Sequence, residues 1–352
     1  MENLPESAAW KAETKTGRYA GVLKAALGYG IAALCLLWVF HDFKIGELVH
    51  SAKTISWWWI FGAVVFDTLS YLCQGMRWSL LLHPVGRISI LRATQAVYAG
   101  LFVNEILPMR AGEVLRTYLV SRWISARFAA VVTSILVERF FDGIWLALAF
   151  GITVLGVPLP RYLIDAEEVL GFGILAATAV FSYLVFYRRD PITVSGSHAH
   201  CRFVPIRWAC HLISKIAGGI RLIGRSRFLY TAFGISLFLL AGQMLSYWFV
   251  MRACGLELSF WHGAAIFLIV HVGTAIPSAP SNLGTYQFFT VVGLTLFGID
   301  KATSAAFSVV VFLVLTLPLW AIGLWAFSRL GLSLKGIRTE IASLARRRAA
   351  QV

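Results

Sequence analysis

The sequence predicts an all-α polytopic membrane protein. About six full spans and two re-entrant helical hairpins form inverted repeats, with both termini in the cytoplasm. Three observations predict it. The residues are 59% hydrophobic and 14% charged, whereas soluble domains average about 25% charged. Two apolar stretches far apart, at about 93–121 and 262–298, are broken by Pro and Gly where a spanning helix would stay regular. Basic residues flank some apolar runs and not others, which orients them in a bilayer.

A spanning helix needs about 20 largely apolar residues. Such runs occur at about 22–41, 56–75, 140–158, 169–187, 229–250 and 303–328. Residues 1–20 form a polar cytoplasmic tail. The first run is too long and too poorly ended for a cleaved signal, and reads as an uncleaved span. Loop 42–55 is nearly neutral and lies outside. Arg77, Arg87 and Arg92 follow the second span, and Arg116, Arg122 and Arg127 lie on the far side of the first broken stretch. Both ends of that stretch are therefore cytoplasmic. Around 157–168, Asp165, Glu167 and Glu168 outweigh Arg161, so this loop is outside. Loop 188–228 is strongly basic and inside. The second broken stretch has near-neutral flanks, and enters from outside and returns there. The basic tail 329–352 is inside.

This divides the membrane domain, 21–328, into a first repeat at about 56–158 and a second at about 229–328, oppositely oriented. The alternative is that the broken stretches hold kinked full crossings. Flank charge fits both, but each stretch is short for two crossings and a turn. Matched broken segments in the two halves of a membrane protein mark a binding site near the midplane. Irregular backbone persists at that depth only where protein or a wet cavity satisfies it.

The net charge of +14 does not point to nucleic acid, because the basic residues sit beside apolar runs. There they set topology and attract anionic lipid. The five cysteines include no CxxC. His198, His200, Cys201, Cys210 and His211 fit no zinc spacing and read as a solvated loop. No P-loop, G-x-S-x-G or HExxH occurs. The expectation is no metal and no cofactor.

Ionisable residues within apolar segments are costly and are functional candidates by default. The first break carries Asn104, Glu105, Arg110, Gly112, Glu113 and Arg116. A helix starting near Gly112 with arginines beside it is suited to an anion such as a lipid phosphate. The structural alternative is that these charges pair to close the hairpin, with Asn104 and Glu105 capping its tip. Glu138 and Asp142 lie four residues apart on one helix face beside Arg139. They bind a cation or proton, or clamp Arg110 or Arg116. Asp67 is a lone acid with Tyr71 and Gln74 on its face, and is either protonated or paired with a distant arginine. The second break is uncharged and offers Ser278, Asn282, Tyr286 and Gln287 for hydrogen bonds. His262 and His271, in its entering arm, read chiefly as packing residues.

Together, Asn104-x3-Pro108-x-Arg110-x-Gly112-Glu113-x2-Arg116, Glu138-Arg139-x2-Asp142 and Pro277-Ser-x-Pro280-x3-Gly284-x-Tyr286 resemble the flippase-like transmembrane region of lysylphosphatidylglycerol synthases. The resemblance runs from about residue 20 to 330. It implies a bacterial inner-membrane protein that moves a phosphate-bearing, polyprenyl-linked or hopanoid-type lipid between leaflets. The synthases carry a cytosolic aminoacyl-transfer domain after this region. Only a basic tail follows Ser328 here, so no enzymatic activity is expected. Family members often have an acid after the second-break Tyr, where this chain has Gln287. A lipid-modifying enzyme and a non-transporting partner of one are the rival readings. Expected partners are a lipid substrate and anionic lipid at the basic loops. A lipid-synthesis enzyme and a second copy of the chain stay open.

Overall fold

Ser89 and Asp300 each precede an apolar run, and each starts a helix in the computed structural model. The Ser89 hydroxyl accepts from the Arg92 N–H at 3.4 Å. The Asp300 carboxylate accepts from the Thr303 N–H at 2.8 Å, and this bond holds its pKa below the usual carboxylate value. The structure describes residues 27–41, 55–107, 111–158, 226–275 and 279–330, with isolated positions between 160 and 223. The N-terminal tail, most of the predicted span 169–187, nearly all of loop 188–228 and the tail beyond 330 lie outside the described residues.

Every regular element among the described residues is helical. Helix α1 is Leu27–Phe40. A long helix α2, Trp57–Leu82, is followed by a short pair, α3 at Ile90–Ile106 and α4 at Ala111–Trp123, and then by long α5, Phe128–Gly156. The order then repeats. Long α6 is Phe228–Ala253, the short pair is α7 at Phe260–Gly273 and α8 at Thr285–Thr295, and long α9 is Lys301–Ser328. The lengths run 26, 17, 13 and 29 residues in the first set. In the second they run 26, 14, 11 and 28. Each short helix falls below the roughly 20 residues that cross a bilayer. By length and composition together, α6 and α9 are clear candidate spans.

The two sets meet along α2 and α6, which run antiparallel. The Ser56 N–H donates to the Ala253 carbonyl at 3.1 Å, Ser246 Oγ to the Ala63 carbonyl at 2.7 Å, and Arg77 Nη1 to Ser236 Oγ at 3.0 Å. Small residues allow this approach, as in membrane helix pairs generally. A Cβ on Gly242 would collide with Ser70 Oγ. Ala63, Tyr247, Val250, Met251, Ile266, Leu294 and Phe307 form the core beneath the second set. Trp78, Leu82, Ala96, Val97, Val120 and Val131 form the core beneath the first. Trp57 and Trp58 at the start of α2 are 73% and 80% exposed.

Two sequence-based boundaries change. Helix α2 continues past residue 75 to Leu82, so Arg77 is not a loop charge but a fully buried helical residue. Helix α5 begins at Phe128 and not near residue 140, so Glu138 and Arg139 lie within the same helix as Asp142.

In the first broken pair α3 and α4 pack backbone to backbone. A Cβ on Gly112 would overlap the Gly100 carbonyl. Gly112→Ala should therefore destabilise the fold by about 1–3 kcal/mol, seen as a lower melting temperature in detergent. Gly234→Ala, where an added Cβ meets nothing within 4 Å, should stay within about 0.5 kcal/mol. Equal melting of both variants and the parent would contradict this packing.

Candidate functional site

A cavity of about 560 Å³ lies between the two breaks. Helix α2 contributes Asp67, Tyr71, Gln74 and Arg77 to its wall, and α5 contributes Arg139, Asp142 and Trp145. The first break contributes Asn104, Glu105 and Glu113, and the second contributes Ser281, Asn282 and Tyr286. Phe312 and Leu315 of α9 supply apolar wall. Polar and charged side chains thus share the wall with apolar ones, so the cavity presents both kinds of surface to a ligand.

The two breaks touch. Ser281 Oγ donates to the Glu105 carbonyl at 3.1 Å. Trp320 Nε1 of α9 donates to Glu105 Oε2 at 3.2 Å. Ser281 and Asn282 have φ of 58° and 50°, and Gly284 has φ of 90°. Left-handed backbone at a non-glycine such as Ser281 is strained and persists where the surroundings impose it. At Gly284 a side chain would also collide with the Ala32 backbone of α1. The first turn of α8 is closed by Gln287, whose Oε1 accepts from the Gly284 N–H at 2.7 Å.

Beside the cavity an alternating chain of charges links α2, α4 and α5. Arg116 Nη2 donates to Glu138 Oε2 at 2.8 Å, and Arg77 Nη2 lies 3.5 Å from Glu138 Oε1. Arg77 also pairs with Asp142. Arg139 then bridges Asp142 and Glu113, each at 3.3 Å. The three arginines balance the three acids. Glu138 and Arg77 are fully buried and Arg116 is 3% exposed. The Arg139 side chain, at 43%, is the accessible end. The Arg116 guanidinium also sits 4.8 Å from the centre of the Trp78 ring, adding a cation–π contact.

The sequence-predicted site residues therefore separate. Asp67, Asn104, Glu105, Glu113, Arg139, Asp142, Asn282 and Tyr286 line one cavity. Arg116 and Glu138 lie outside its wall and pair with each other. At the helix start the Gly112 N–H is already engaged, since it donates to Asn104 Oδ1 at 2.7 Å. Gln287 is 3% exposed and caps α8 rather than reaching a ligand. Arg110 and Ser278 lie outside the described residues. His262 packs, with Nδ1 2.7 Å from Ser259 Oγ and its ring against Phe297. Arg77 is the residue that charge counting missed. The signal was present: one arginine followed by Trp78-Ser-Leu-Leu-Leu82, still an apolar run.

The described geometry fits a membrane protein with an internal ligand cavity, and comparison with known proteins identifies its kind. The family described as lysylphosphatidylglycerol synthase TM region matches residues 25–323. The chain belongs to that family. A UPF0104 membrane protein of Methanothermobacter thermautotrophicus is 23% identical over 75% of this chain and 81% of its own length. A protein named glycosyltransferase AglD, from Haloferax volcanii, is 22% identical over 70% of this chain, and only 45% of that relative is covered. These relatives are archaeal, and membership of the family supports a lipid-related function at a membrane.

Removing the Glu138 charge leaves Arg77 and Arg116 buried with their shared partner gone. Glu138→Gln should cost about 3–5 kcal/mol, measured as loss of thermal stability and of folded yield in detergent. Arg139→Ala, at the exposed end, should cost about 1 kcal/mol or less. Equal losses would show that the chain is not anchored at Glu138.

Proposed function

We propose that this protein moves a phosphate-bearing, polyprenyl-linked or hopanoid-type lipid between the leaflets of a bacterial inner membrane. One observation carries the reading: a single cavity is lined by polar side chains from both helix breaks. The equivalent order of long and short helices and the antiparallel α2–α6 pair support two inverted repeats. On this reading each short pair is a re-entrant hairpin. About six helices span, the N- and C-termini are cytoplasmic, and the basic loop 188–228 lies against anionic lipid. Inverted repeats around a midplane site suit alternating access.

The lipid headgroup occupies the polar part of the cavity, and the acyl or isoprenoid chains leave it toward the bilayer. Of the two arginines lining the described wall, Arg77 is buried against Glu138 and Asp142. Arg139 is the accessible one and is assigned to the phosphate, together with Arg110 at the first break. Asn104, Asn282 and Tyr286 supply hydrogen bonds to the rest of the headgroup. No catalytic residue is assigned. A second reading, a membrane partner for a lipid-modifying enzyme, is favoured by the relative named as a glycosyltransferase. It predicts co-purification of an enzyme that depends on loop 188–228.

The transport reading is tested in vesicles of phosphatidylethanolamine and phosphatidylglycerol containing fluorescent phosphatidylglycerol, with dithionite quenching of the outer leaflet. Wild type should equilibrate the probe at least about tenfold faster than Arg110→Ala or the cavity-filling Thr316→Trp, a change of about 1.4 kcal/mol or more in the barrier. Equal rates in wild type, both variants and protein-free vesicles would overturn it.

A further inference from the structure

Asp67 is the one carboxylate of the cavity wall that the buried charge chain and the Glu105 contact leave out. It lies ten residues into α2 from Trp57, about 15 Å along the helix axis, which on the spanning reading of α2 is near the middle of a hydrocarbon core about 30 Å thick. It is 6% exposed and lines the cavity. Among the described residues it has no hydrogen-bond or ion-pair partner. An uncompensated carboxylate at this depth is expensive. The other charged side chains of the described wall are engaged: Arg77 and Asp142 with each other, Arg139 with Glu113 and Asp142, and Glu105 with Trp320.

The surroundings of Asp67 favour a proton over a metal ion. Among the described residues no three His, Cys, Asp or Glu side chains converge on a metal-sized site, whereas hard cations need several oxygen ligands. Phenols share its cavity instead. Tyr71 is one turn further along α2 and Tyr286 faces from α8. The Tyr98 ring of α3 lies 5.5 Å from that of Tyr71, and its hydroxyl is buried with no partner. Besides these phenols, the titratable and charged groups facing the cavity are Arg77 of α2, Glu105 of α3, Glu113 of α4, Arg139 and Asp142 of α5, and His271 of α7. From α6 the cavity receives the neutral Gln243, and from α9 Thr316.

We propose that Asp67 is a proton-binding site that couples lipid movement to the transmembrane pH gradient. The inference rests on the transport reading above for its consequence, but not for the site itself. The Asp67 carboxyl binds a proton when the cavity opens to one side of the membrane and releases it when the cavity opens to the other. One proton carried per lipid lets a gradient of one pH unit hold about a tenfold difference in lipid between leaflets.

Two measurements test it. In the vesicles described above, with fluorescent phosphatidylglycerol as probe and a gradient of about one pH unit, wild type should end with up to about tenfold asymmetry. Asp67→Asn should end with equal leaflets, Asp67→Glu should retain the asymmetry, and Glu105→Gln and His271→Ala should not abolish it. The end point is read rather than the rate, so a slower variant still reports. The second measurement needs no transport. Infrared difference spectra of the purified protein across pH should show a titrating carboxyl band that Asp67→Asn removes. Asymmetry that survives in Asp67→Asn, or wild type that moves the probe without responding to the gradient, overturns the coupling. An unchanged infrared spectrum in Asp67→Asn overturns the proton site. Wild type that moves no lipid but loses the band on substitution overturns the transport reading and its coupling, while the proton site stands.

Discussion

A carboxylate with no solvent exposure, Glu138, sits between two guanidiniums, and the placement of three helices depends on it. Arg116 reaches it from α4 and Arg77 from α2, while Glu138 itself belongs to α5. Among the described residues Arg116 pairs with no other acid, whereas Arg77 also pairs with Asp142, and Glu138 itself is fully buried. Buried ion pairs are poor sources of net stability, but they are strict about geometry, because displacing one member strands the others. The chain therefore fixes where the first broken pair stands against the long helices. From Arg77 the same alternation passes through Asp142 to Arg139 and Glu113 at the cavity wall. Cavity shape and buried charge are thus one construction.

The breaks obey a second constraint, that free backbone groups at membrane depth must be satisfied. Each break does this with a side-chain amide. Asn104 accepts from the Gly112 N–H at the start of α4, and Gln287 accepts from the Gly284 N–H at the start of α8. The two sites use different residue positions for the same task, as expected of two halves that share an architecture but not a sequence. Glu105 and Ser281 then tie one tip to the other. Polar residues of both tips therefore stand in one cavity wall.

Part of this was legible in the residues. Apolar length located α6 to within a few residues, predicted at 229–250 and found at Phe228–Ala253. Pro and Gly located both breaks, because those residues act locally on backbone geometry. The pairing of Arg116 with Glu138 stood among the expected alternatives. What could not be read is what depends on tertiary contact. Arg77 looks like a cytoplasmic flank charge until Asp142 and Glu138 are brought to it from another helix. Gly112 looks like an open anion site until Asn104, eight residues earlier, folds onto it. Gln287 looks like a ligand contact until its amide is found on the neighbouring turn. In each case the residue type announced a polar need, and the fold decided which partner met it.

The proposed inverted repeats and transport cycle both rest on opposite orientation of the two broken pairs. That orientation is tested most directly by labelling single cysteines in a chain whose five native cysteines are replaced. Arg127, exposed at the start of α5, follows the first broken pair, and Glu257, exposed between α6 and α7, precedes the second. A membrane-impermeant maleimide added to intact cells should label Glu257→Cys and spare Arg127→Cys, with both labelled once the membrane is opened. Labelling of both positions from the same side of the intact membrane would contradict it.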